Sequence, residues 1–107
     1  MSELARLVAE SADAADLHAT APALLLELQT ELGALAATAT AATERGRRPF
    51  RPPADWNRRL GMLAYGIYLL ADQTGADIEA ELRTVADATR ASAASRRPDG
   101  EWPFTAR

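Results

Sequence analysis

The stretch RRLGMLAYGIYLLAD, residues 58–72, decides the fold. Between Leu60 and Ala71 it holds no charged side chain. Leu60, Leu63, Ile67 and Leu70 recur at steps of three and four, the spacing that lines up side chains on one face of an α-helix. Met62, Tyr65, Tyr68 and Leu69 cover the flanks. A helix apolar nearly all round must be wrapped by other helices or paired with a second subunit. It therefore reads as the central element of an all-α domain.

Working outward, residues 2–20 read as an amphipathic helix with Ser2 as N-cap and Glu3 in the first turn. Leu4, Leu7, Val8, Ser11, Ala15 and His18 share its weak apolar face. A second helix runs from about Pro22, at a position that suits proline, to Glu44. It is strongest at Leu24, Leu25, Leu26, Leu28, Leu32 and Leu35, whereas its second half, AATATAAT, has little to bury and either frays or packs against a close neighbour. The segment RGRRPFRPPAD, residues 45–55, breaks the helix at Gly46 and forbids its return at Pro49, Pro52 and Pro53. Beyond the central helix, Asp55 is placed to cap its start and Gly75 to end it. Asp77 opens a fourth helix with Glu79 and Glu81 in the first turn and Ile78, Leu82, Val85 and Thr89 as its buried stripe. That helix fades through ATRASAAS towards Pro98-Asp99-Gly100, a turn signal, and a tail with Trp102 and Phe104. No strand alternation occurs.

Composition bounds the function. With 107 residues the chain is expected to be one domain: an N-terminal helix over 1–21, a core over 22–95 and a tail over 96–107. A net charge of −3 gives no global reason to bind nucleic acid or an anionic membrane, so neither is an expected partner. The absence of cysteine excludes disulfides and thiolate chemistry, and the single His18 excludes a multi-histidine metal site. The charged N-terminus is not a signal peptide, and no apolar run reaches the ~18 residues a membrane helix needs. The expected location is the cytoplasm.

Two segments together resemble a known family. LQTELGALAA at 28–37 and RLGMLAY at 59–65, the latter followed by LLADQTGADIEAEL at 69–82, are similar to the MazG-like all-α nucleoside triphosphate pyrophosphohydrolases. There helix two carries E-x-G-E-L, helix three E-L-G-D, and a turn of the L-G-I-D type opens helix four. The resemblance spans roughly residues 22–92 and includes the helix-embedded Gly33 and Gly61 and the turn from Gly75 to Asp77. It implies a four-helix bundle, assembled as a dimer or larger oligomer, with acidic pairs on two facing helices that hold Mg²⁺ for attack on a nucleoside triphosphate.

Carried over position by position, that metal site is largely absent. Glu31 stands at the first ligand position, Ala34 at the second, and Arg59 and Met62 where the second acidic pair belongs. Glu27, one turn before Glu31, is the one carboxylate placed to substitute. Asp72 is more than three turns from Arg59 and points elsewhere, and Asp55 sits at the helix cap. Thr89-Arg90 partly matches an Asn-Arg pair of helix four. The implied picture is a guanidinium from Arg59 facing Glu31 and Glu27 where a cation once sat, with Met62 and Ala34 making the rest apolar.

The leading expectation is a non-hydrolytic ligand-binding or scaffold module that forms a homo-oligomer, uses no metal, and holds a nucleotide-like or other small molecule among Glu27, Glu31, Ala34, Arg59, Met62 and Arg90. The alternatives are an active Mg²⁺-dependent pyrophosphohydrolase using Glu31 and Glu27, and a metal-free enzyme that reuses the pocket. Plainer readings stand beside each residue. Glu27 and Glu31 suit any amphipathic helix, and Arg59 can bond Asp55 four residues back. The arginine-rich loop suits a solvated connection, and P-x-x-P at 49–52 is frequent by chance. Tyr65 and Tyr68 suit a core or a dimer interface. Trp102 and Phe104 suit docking on a groove of this subunit or another.

Overall fold

The computed structural model describes residues 2–17 and 19–94. Among them are four α-helices and no strand: α1 (Glu3–Ala14), α2 (Ala21–Ala42), α3 (Trp56–Thr74) and α4 (Ile78–Ala94). His18, Trp102 and Phe104 lie outside the described residues, so the readings placed on them do too. None of the described helices is long and apolar enough to cross a membrane. The chain divides into two compact units, Met1–Ala76 and Asp77–Arg107.

In the first unit α3 packs against both α1 and α2. The three helices meet at Leu69, which joins Val8 and Ala12 of α1 and Leu24 of α2, with Tyr65, Tyr68 and Leu70 around them. Against α2 the approach is closest at Gly66: a Cβ there would lie 2.6 Å from Cδ2 of Leu28. Gly33 and Gly61, by contrast, have open space where a Cβ would stand. The close approach is thus made one to two turns away from them, by a glycine outside the two family-like motifs.

α1 turns a different side inward from the one its leucines suggest. Ser2 caps it as expected, its hydroxyl accepting from Ala5 N–H at 3.0 Å. Val8 and Ala12 are buried, with Ala5, Ala9 and Ser11 half-buried beside them, while Leu4 and Leu7 remain 53% and 60% exposed and Ala15 is exposed. Small side chains let α1 lie close enough to α3 for the Ser11 and Tyr65 hydroxyls to hydrogen-bond at 2.9 Å. The helix stops at Ala14, short of the expected 20, because Asp16 adopts φ 56° and Leu17 N–H donates back to Ala12 C=O at 2.9 Å. This is a left-handed C-terminal closure without glycine.

α2 ends in the same way. Thr20 caps its start, accepting from Ala23 N–H at 3.3 Å. Its small-residue half stays helical, with Thr38, Ala39 and Ala42 half-buried. Glu44, not Gly46, closes the helix: it adopts φ 49° and Arg45 N–H reaches Thr40 C=O at 3.0 Å. Of its leucines, Leu24 and Leu35 are buried, Leu28 is half-buried, and Leu25, Leu26 and Leu32 are exposed.

α3 begins at Asp55, but the Asp55 side chain makes no capping bond, because it is taken by Arg59. Gly75, at φ 75°, closes α3, and Ala76 N–H donates to Ala71 C=O at 2.9 Å. α3 is central to its unit yet not wrapped: Leu60, Met62 and Ile67 are 43%, 48% and 42% exposed.

α4, the described part of the second unit, is capped as expected by Asp77, whose Oδ1 accepts from Ala80 N–H at 3.1 Å. Its expected buried stripe is not buried. Ile78 is half-buried, Leu82 and Val85 are about half exposed, and no residue of α4 is buried. Thr89 is exposed, its hydroxyl turned back onto Val85 C=O at 2.8 Å.

Candidate functional site

The residues singled out from the sequence fall in three places. On α2, Glu31 is half-buried and Glu27 and Ala34 are exposed. Glu31 follows Leu28 by three residues and so lies on the side of α2 that turns towards α3. On α3, Arg59 precedes Gly66 by seven residues, shares its side of the helix, and is half-buried. Arg90 lies on α4, in the second unit, where it reaches Asp87 at 3.6 Å in an exposed pair.

The chemistry at Arg59 differs from the metal-replacement picture. Arg59 Nε donates to Asp55 Oδ2 at 2.7 Å, the local i, i+4 pair. Among the described residues no ion pair joins Arg59 to Glu31 or Glu27. The hydrogen bond from Arg59 holds the Asp55 carboxyl below its ordinary range, against a small opposing desolvation, with Arg58 adding a weaker attraction. A partner four residues away on the same helix is reached without bringing a second element close, so the local pair forms first.

The carboxylates do not converge. Among the described residues no three acidic or histidine side chains are grouped closely enough to hold a metal ion. α3 contributes a single carboxylate, Asp72, which is exposed near its far end.

Met62 points to a different feature. It lines an open groove of about 390 Å³ beside Leu24, Tyr65, Gly66 and Leu69, with Asp16, Leu17 and Ala19 at the end of α1 closing it. Its walls are mainly apolar, and among the described lining residues Asp16 is the charged one. Of the sequence-derived site residues only Met62 belongs to it. The groove depends on α1 ending early, so that Asp16, Leu17 and Ala19 line it together with residues of α2 and α3, and the left-handed Asp16 at that turn carries no glycine signal.

No family model, curated protein or solved structure matches the chain.

Proposed function

We propose that this chain is a non-hydrolytic, MazG-like all-α module that works by binding and assembles from at least two copies. The observation that carries the reading is the apolar surface left uncovered. Among the described residues twelve large hydrophobic side chains are exposed, while the buried set is six, two of them alanine. A lone small domain with so thin a core has little to offset its chain entropy, and burying leucine faces between copies supplies the missing stabilisation. Leu60, Ala64 and Ile67, at steps of four and three, form one such face on α3.

Turnover is disfavoured by the residues at the resembled metal positions. A guanidinium and a thioether cannot ligate Mg²⁺, which takes oxygen donors. Glu31 and Glu27 are left without a facing carboxylate. The groove at Met62 suits a small, largely apolar molecule better than a triphosphate, since the charged residue among its described walls is an acid.

The test is one preparation measured twice. Sedimentation across a dilution series should give a mass of at least twice 11.5 kDa, and Leu60→Ser with Ile67→Ser should lower that mass towards the monomer and lower the melting temperature with it. Incubation with a nucleoside triphosphate panel and Mg²⁺ should release no pyrophosphate. A monomer at micromolar concentration, or metal-dependent pyrophosphate release, overturns the proposal.

A further inference from the structure

The connection between α2 and α3 concentrates positive charge that the fold does not use. Residues 44–59 hold six arginines against two carboxylates, a net of +4, so the remaining 91 residues carry −7. Both carboxylates are already taken: Glu44 by Arg48 at 2.9 Å and Asp55 by Arg59 at 2.7 Å. Arg45, Arg47, Arg51 and Arg58 are exposed and have no acidic partner among the described residues. Placing like charges this densely costs free energy, which the two ion pairs offset only in part.

The loop is also held in shape. Glu44, Arg45 and Gly46 take successive left-handed conformations at φ 49°, 59° and 89°. Arg48 N–H donates to Thr43 C=O at 2.9 Å, and Gly46 N–H to the Thr43 hydroxyl at 3.3 Å. Pro49, Pro52 and Pro53 restrict the rest. Phe50 rests edge-on against Trp56 with ring centroids 4.9 Å apart, which fixes the far end of the loop to the start of α3. Phe50 remains 39% exposed, in the midst of the arginines.

We propose that this loop is a binding site for single-stranded nucleic acid. Guanidiniums held on a preordered loop suit a phosphate backbone, and an exposed aromatic between them offers a face or edge to a base. A carboxylate-bearing partner would use the charges but not the ring. The chain's overall negative charge does not oppose this, because the segment carries a net +4 with its own two carboxylates already paired, and screening limits the reach of the other acidic residues to about 8 Å at physiological salt. The loop shares no residue with the described lining of the groove at Met62.

The experiment is fluorescence anisotropy of a labelled twenty-nucleotide oligothymidylate titrated with the full chain at several salt concentrations. Binding should weaken with salt with a log–log slope of about −3, for about four phosphates neutralised. The variant Arg45→Gln, Arg47→Gln, Arg51→Gln spares the two ion-paired arginines and should keep wild-type helix content. It should bind at least tenfold more weakly, with the slope reduced by about 2. The same positions changed to lysine should retain most of the affinity. No binding at low salt, equal binding by the glutamine variant, or equally effective displacement by polyglutamate of matched charge would each overturn the proposal, the last by reassigning the loop to acidic protein segments.

Discussion

On one side of α3, Gly66 and Leu69 lie under α2 and α1; on the other, Leu60, Ala64 and Ile67 stand exposed. The two sides have similar hydrophobicity, so hydrophobicity alone did not choose between them. The packed side differs in shape. It offers a glycine into which Leu28 fits and a tyrosine hydroxyl that answers Ser11. Partner helices rich in alanine and serine need close approach to gain contact, and they take the side that permits it. The outward side keeps branched side chains that would hold such a neighbour away, and is left for a different partner.

The sharpest way to break this comparison is at Leu69. Leu69→Ala should cost about 2–5 kcal/mol in urea unfolding followed by helix signal, since its side chain is the point where three helices meet. Should it cost no more than Ile67→Ala, the two sides are equivalent and the packing account fails. The glycines sharpen it at smaller scale. Gly66→Leu should cost about 1–3 kcal/mol through overpacking against Leu28. Gly61→Ala, on the same helix with open space around it, should stabilise by roughly 0.5–1 kcal/mol through helix propensity alone. If both changes destabilise alike, the close approach is not particular to Gly66.

The smallest effect is expected at Asp55. Its carboxyl is held below the ordinary range by Arg59, so what it contributes is present above the unfolded value of 3.8 and is lost as pH falls through the lowered folded value. Asp55→Asn should therefore lower the melting temperature slightly at neutral pH, and the difference from wild type should close in the acid range below about pH 4. A difference that persists unchanged at pH 3 would mean that Asp55 acts through something other than its pair with Arg59.

Much of the candidate site was not legible in the sequence, for a physical reason. That Arg59 faces Glu31 was implied by the family resemblance and not by the residues' spacing. The pair that Arg59 does make, with Asp55, was legible as an i, i+4 spacing, because it needs no distance between elements. The groove at Met62 was invisible because it is made by α1 ending at a left-handed Asp16, and no glycine marks that turn. The same silence moved the end of α2 from Gly46 to Glu44.

By itself the sequence determined that the described residues are all-helical, where their four helices begin, and that α3 is the central helix of the first unit, because caps, breakers and 3.6-residue periodicity act within a few residues of each other. Only the tertiary structure decided which side of each helix is covered: alanines rather than leucines on α1, Gly66 rather than Gly61 on α3, and no buried stripe on α4. That choice rests on how closely two surfaces can approach, a property of pairs of helices that the periodicity of either one does not contain.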